Sequence, residues 1–288
     1  MTSDVLAQCA AETVAIVDAG SYVVPATGAR VVLTPLIERA VSSTRVLDEA
    51  ALTALIDAAP RGRPAVVGCL GERSGAAAKR LLDEGAKKVA VLNYANGVRP
   101  GGGFLHGARA QEEALCRCSA LYRCLIDTRA RPFFDDNLRA QTALVTGAIV
   151  VSDDVPFFRD EDLSLRTAPF CATVLTAAAP DLGWLLAATS EGIEPKSRFD
   201  EVPAVFARRT RFVVAAAVAA GCDALVAGPW GCGAFGNDAD VVADAFAAAI
   251  DELGAGLSRV AFSVWGPEDN RAAFEGRFAP DAVRVVRR

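Results

Sequence analysis

The chain is short of the residues and patterns that would point to several common functions. Its 288 residues contain one histidine, His106, and one methionine, Met1. A lone histidine with nothing to orient it reads as a surface or loop-packing side chain rather than a general base. It also gives little help to the Cys116-x-Cys118 pair, whose members point in nearly opposite directions on a helix, so no metal site is expected. There is no basic excess: 30 Lys and Arg face 35 Asp and Glu, for a net charge of −5. No global positive field recruits nucleic acid, and sequence-specific binding is not expected; any polyanion must be held by backbone donors and a few arginines. Apolar runs such as 212–220 reach about half of the ~20 residues that a membrane span needs. The first residues lack the basic stretch of a secretion signal. These absences describe a soluble, cytoplasmic protein, and its eight cysteines read as reduced small hydrophobes. Repeats and low-complexity tracts are also missing.

What is present is a 52% hydrophobic, 23% charged composition and enough length for one large domain or two small ones. Residues 4–19 predict an Ala-rich helix. Segments 22–25 and 30–33 predict a hairpin with its turn at Thr27-Gly28. Residues 48–59 predict a helix stopped by Pro60. Residues 1–60 are therefore expected to be a helical extension with an edge hairpin packed on a core at 61–288, with the linker at 60–64. From there strand and helix alternate. Strands are expected at 65–70, 89–93, 148–152, 171–177, 224–227 and 260–264. The first two should form a parallel pair across a helix capped by Ser74 and ended by Gly85. Further helices are expected at 112–126, 203–220 and 240–253, and a mobile loop at 191–203. The clusters Arg131–Asp136 and Asp153–Asp162 read as solvated loops, and Tyr122 as core. The pattern is that of an α/β layered domain, which places ligands at the carboxyl ends of its strands.

Two loops carry the functional signal. The first is Asn93-Tyr94-Ala95-Asn96-Gly97-Val98-Arg99-Pro100-Gly101-Gly102-Gly103, followed after seven residues by Gln111-Glu112-Glu113. Three glycines between a strand and a helix let backbone pass close to a ligand, because no Cβ intervenes. Two carboxylates at the next helix start also have an ordinary reading, as partners of the helix dipole. The second loop, Gly228-Pro229-Trp230-Gly231-Cys232-Gly233-Ala234-Phe235-Gly236-Asn237-Asp238, also joins a strand to a helix. Its spaced glycines suit a nest of N–H groups for phosphate oxygens. The spacing is not that of a nucleotide-hydrolysing phosphate loop, since no Lys-Ser or Lys-Thr follows. Phe235 is either a core plug or a face for a sugar or base.

Gly-Gly-Gly, a seven-residue gap and Gln-Glu-Glu together resemble the signature of the poly(ADP-ribose) glycohydrolases. Residues 91–95, 101–117, 155–159 and 230–237 are similar to the bacterial-type branch. That resemblance implies a macrodomain-like core, a three-layer α/β/α sandwich with a mixed sheet and an N-terminal helical extension. It implies hydrolysis of ribose–ribose bonds in poly(ADP-ribose), mainly from the chain end, with ADP-ribose released and no cofactor. The substrate would be the polymer or ADP-ribosylated protein, and the setting the DNA damage response. By the same resemblance Glu113 is the catalytic glutamate, Glu112 holds a ribose hydroxyl of the penultimate unit, and Gln111 orients the loop. Gly101, Gly102 and Gly103 would approach the distal ribose and diphosphate. Gly231, Cys232, Gly233, Ala234, Phe235 and Gly236 would form the diphosphate loop, with Phe235 on the terminal ribose and Asn96 or Arg99 on the same sugar. The alternatives are a mono-ADP-ribosyl hydrolase and a non-catalytic reader; a reader has no use for Gln111-Glu112-Glu113. A monomer is expected.

The chemistry agrees with that resemblance. Glycosidic cleavage passes through an oxocarbenium-like state, and needs a proton for the leaving oxygen and then an activated water. Adjacent residues of a helix lie about 100° apart, so Glu112 and Glu113 cannot flank one bond from opposite faces. One glutamate as acid and then base, with the other anchoring substrate, fits better. With substrate bound, burial against the ligand and the negative charges of Glu112 and the diphosphate are expected to raise the pKa of Glu113. The whole reading requires the 113 side chain and the 231–236 loop to serve one cleft.

Overall fold

In a computed structural model describing residues 1–278, the first 51 residues already hold more structure than their sequence signals. Helix α1 (Ser3–Ala19) is capped by the Thr2 hydroxyl, which accepts Val5 N–H, and stops at Gly20, at φ 65°. Strands β1 (Ser21–Val23) and β2 (Arg30–Val32) form the expected antiparallel hairpin. Helix α2 (Thr34–Ser43) and strand β3 (Arg45–Leu47) follow; neither was anticipated. Helix α3 (Glu49–Ala58), strand β4 (Val66–Leu70), helix α4 (Ser74–Asp83) and strand β5 (Val89–Ala95) match the expected positions. Arg73, not Ser74, is the cap residue of α4, and it makes no side-chain capping bond.

Helices α5 (Gln111–Cys118) and α6 (Leu121–Leu125) replace the single helix expected over 112–126. The break is Ser119, buried and extended, whose hydroxyl donates to the Leu115 carbonyl while accepting Leu121 N–H. Such side-chain bonding to backbone competes with helix continuation. Helix α7 (Arg131–Ala140) contains the Arg131–Asp136 cluster, which is therefore helical rather than a loop. Strand β6 (Ile149–Arg159) absorbs much of the Asp153–Asp162 cluster, and β7 (Leu165–Ala178) pairs with it antiparallel. After α8 (Leu182–Ser190), helix α9 (Arg198–Ala219) begins five residues before Pro203. Arg198 pairs with Glu194 and Glu201 there, so much of the loop expected at 191–203 is helix. Strand β8 (Ala224–Ala227), helix α10 (Ala239–Leu253), strand β9 (Arg259–Ser263) and helix α11 (Glu268–Arg277) complete the described chain.

Seven strands form a mixed sheet in the order β3-β6-β7-β5-β8-β9-β4, with helices on both sides, as the α/β/α reading requires. The βαβ expectation needs correcting: β4 pairs with β9 and β5 with β8, so two strands separate the pair. The chain divides into two compact units, Met1–Ala51 with Leu92–Ala179, and Leu52–Val91 with the chain from Pro180 onward. In the first, Ile16, Tyr22, Val24, Leu33, Ile37, Ala120 and Phe158 make a buried cluster that joins the N-terminal hairpin to β6. The Tyr22 hydroxyl donates to the Arg166 carbonyl at 2.6 Å. In the second unit Thr210 donates to the Ala245 carbonyl at 3.0 Å, tying α9 to α10. Residues 60–64 lie inside that unit, where Arg61 and Arg63 pair with Glu252 and Asp251 of α10.

Candidate active site

Strand β5 begins as an uninterrupted apolar run that stops at polar Asn93, two residues before the strand ends at Ala95. Asn93 is fully buried, and its Nδ2 donates to Glu112 Oε1 and to Thr176 Oγ1, both at 3.2 Å. Beyond it the Asn96 side-chain oxygen accepts Val98 N–H (3.1 Å) and Arg99 N–H (2.9 Å), closing an Asx-type turn. Asn96 thus spends its oxygen on shaping the loop, and its own N–H donates to Glu112 Oε2 at 2.9 Å.

The start of α5 then binds back to the loop through three consecutive side chains. Gln111 accepts Tyr94 N–H (2.9 Å) and donates to the Leu92 carbonyl (2.7 Å), completing hydrogen bonds on either side of Asn93. Glu112 takes the two amide donors just described. Glu113 Oε1 accepts Gly103 N–H at 2.8 Å, while its Oε2 is buried without a hydrogen-bond partner. Glu112 is 2% exposed and Glu113 7%. Burial is the largest influence on Glu112 and raises its pKa from 4.5 to about 8; amide donors from Asn96 and Asn93 oppose the rise, and the neighbouring Glu113 adds to it. Glu112 sits the deeper of the two.

The glycines fit this packing closely. Gly101 and Gly102 have φ of 69° and 56°. A Cβ on Gly102 would stand 2.4 Å from Glu113 Oε1 and 3.0 Å from Glu112 Oε2. A Cβ on Gly101 would stand 2.8 Å from the Tyr122 ring. Tyr122, expected in the core, is half-buried and packs on Phe104 with ring centroids 5.0 Å apart. It is a wall of the glycine loop. His106 is exposed on the short turn 104–106.

The other glycine loop lies in the second unit, between β8 and α10. Gly231 and Gly236 take φ of 78° and 71°. Buried Asn237 closes the loop by donating to the Gly231 carbonyl at 3.0 Å and to the Pro180 carbonyl at 2.7 Å. Phe235 is half-buried, and its carbonyl accepts Leu182 N–H at the start of α8. Gly233 and Ala234 are exposed, whereas burial raises the Cys232 thiol to about 12, so it is not a nucleophile.

Residues 10–160 match the model of the microbial-type PARG catalytic domain. The chain belongs to the microbial-type PARG family. Among solved structures it is similar to the poly(ADP-ribose) glycohydrolase of Thermomonospora curvata bound to the inhibitor ADP-HPD. That match has 36% identity over 96% of this chain and 100% of the other, at a TM-score of 0.83. It is also similar to the Deinococcus radiodurans enzyme in complex with ADP-ribose, at 32% identity over 84% of this chain and 96% of the other, TM-score 0.76. No match was found among curated proteins.

Membership makes this chain a glycosidase whose reaction is the hydrolysis of poly(ADP-ribose). Among the described residues no helix is long and apolar enough to cross a membrane. Of the residues singled out from sequence, Asn96, Gly101, Gly102, Gly103, Gln111, Glu112 and Glu113 come together in the first unit. Asn93, Thr176 and Tyr122 belong to the same cluster and were missed as site residues. A polar residue ending a buried apolar run was a readable signal for Asn93. Thr176, far off in sequence on β7, left none.

Proposed function

We propose that Glu113 is the acid and then the base of poly(ADP-ribose) cleavage from the chain end, and that Glu112 anchors a ribose of the substrate. The observation carrying this is the asymmetry of the dyad. Glu112 has both oxygens occupied by amide donors, while Glu113 has one oxygen fixed by Gly103 N–H and the other buried without a partner. An orphaned buried carboxyl oxygen favours a reacting group, since a purely structural carboxylate would be satisfied. A Glu112 held up to about 8 carries a proton near neutral pH, so it can donate to a ribose oxygen without repelling the diphosphate. On this reading the glycines 101–103 face the distal ribose and diphosphate, Gln111 holds the loop, and Asn96 offers its amide to the terminal ribose. In the second unit, the N–H groups of the 231–236 loop suit a diphosphate and the Phe235 face suits a sugar. The substrate's own diphosphate then steadies the developing positive charge, and the chemistry calls for neither metal nor nicotinamide.

The test is turnover of automodified polymer. Glu113→Gln should lower kcat by roughly 10²–10⁴-fold while ADP-ribose affinity changes only a few-fold. Near-normal release of ADP-ribose by that variant would remove the proposal. Intact polymer with the parent protein would favour a reader, and release from singly modified protein but not from polymer would favour a mono-ADP-ribosyl hydrolase. The eight cysteines, all free, support a reducing compartment such as the cytoplasm, where a monomer would clear polymer made in a DNA damage response.

A further inference from the structure

The structure assigns Arg117 as a positioning residue that holds the Glu113 carboxyl in place by clamping the 103–108 loop. Arg117 follows Glu113 by four residues on α5, so the two side chains leave the same helix face one turn apart. They do not pair with each other; each grips the same loop. Glu113 Oε1 accepts Gly103 N–H at 2.8 Å, and the Arg117 guanidinium donates to the Ala108 carbonyl at 2.7 Å. Between those two points the loop is closed by its own backbone, Ala108 N–H donating to the Gly103 carbonyl at 3.2 Å. Slack is absent there, since a Cβ on Gly103 would meet the Ala108 methyl at 2.6 Å. The path from guanidinium to catalytic carboxyl is therefore three hydrogen bonds long.

Two further observations separate this from ordinary helix packing. Arg117 is 3% exposed, and its guanidinium bonds the Ala108 carbonyl while the Glu113 charge, one turn away, acts on it without a direct ion pair. An arginine buried without a direct ion pair is expensive to maintain, and a neutral side chain would fill the space with less penalty. Its position on the helix is also fixed from behind. Thr13 of α1 donates to the Arg117 carbonyl at 2.9 Å, and Arg159 Nε donates to the Thr13 hydroxyl at 3.2 Å.

This inference rests on Glu113 being the reacting carboxyl, so the experiment includes that arm. Arg117→Gln, Arg117→Lys and Glu113→Gln are compared for kcat and KM on polymer, for ADP-ribose affinity, and for hydrogen exchange across 101–110. The expected result is a kcat at least tenfold lower in Arg117→Gln, with KM within threefold and faster exchange confined to 101–110. Arg117→Lys should recover part of the loss by restoring a cationic donor. Should Arg117→Gln not fold, Arg117→Lys alone carries the test through its intermediate kcat and local exchange. A kcat within twofold of the parent in every folded Arg117 variant, or equal falls in kcat and ADP-ribose affinity, would overturn the positioning role. An active Glu113→Gln would instead remove the catalytic assignment on which it stands.

Discussion

Glu112→Gln should reverse its effect on stability between acid and alkaline pH. The folded protein holds Glu112 protonated up to about 8, whereas the unfolded chain releases that proton near 4.5. Below 4.5 the group is neutral in both states. Between the two values only the unfolded state ionises, so the wild type loses about 1.4 kcal/mol per pH unit from this site. Over the full interval the loss approaches about 5 kcal/mol, or about 10 °C in Tm for a chain of this size. The glutamine has no such dependence. Its oxygen can accept Asn96 N–H while its nitrogen donates to the Asn93 side-chain oxygen, which has no partner in the wild type. That arrangement loses at most one hydrogen bond, about 1 kcal/mol at pH 4.5. Thermal melts of both proteins at half-unit intervals from pH 4.5 to 9 measure the difference directly. The variant should start slightly less stable and finish several degrees more stable, although its turnover falls. Parallel curves, or a wild type that gains on the variant with rising pH, would refute the buried-carboxyl argument.

Gly102→Ala should lose at least a hundredfold in kcat and several kcal/mol in stability, because its methyl would overlap both carboxylates at a positive φ; normal turnover would show that the loop is looser than described. Asn93→Ala should destabilise by about 1–3 kcal/mol in urea unfolding and reduce kcat, since it strips a donor from Glu112 Oε1 and Thr176. Thr13→Val should lower stability by about 1–2 kcal/mol, by unpairing the Arg117 carbonyl and the Arg159 Nε, and should lower kcat by less than Arg117→Gln does. A large kcat loss there would mean that α1 does more than anchor α5.

What could be read from the sequence follows the range of the interactions. The Gly101–Gly103 loop and the dyad were legible because each is a local solution, glycines where the backbone turns left-handed and acids at a helix start. The hairpin around Thr27-Gly28 and the stop at Gly85 were legible for the same reason. The break at Ser119 was not, because a serine in an apolar run signals nothing until its hydroxyl meets the Leu115 carbonyl in a buried setting. Strand β3 is three residues long, and pairing with β6 a hundred residues later is what makes it a strand. The order of β4, β9, β8 and β5 is likewise set by which apolar strands pack together, and all four are similar in composition.

The start of α5 shows why that site resists local reading. Its cap residue is Ala110, which has no side chain able to accept the free N–H groups of the first turn. A Ser or Asp there would give about 1 kcal/mol of helix stability. The next three residues could also have turned their oxygens back onto the helix, as a capping box does. They bond outward instead: Gln111 to Leu92 and Tyr94, Glu112 to Asn93 and Asn96, Glu113 to Gly103. Together the three residues bond points from Leu92 to Gly103 along one chain segment, so the helix start and the loop hold one another. The sequence forgoes a local gain at position 110, leaves Gln111 half-buried and buries Glu112 and Glu113. A helix eight residues long is too short to stand alone, so tertiary bonds must supply its stability. Those same bonds fix both carboxyls, and the geometry of the dyad is therefore a condition of folding as well as of catalysis.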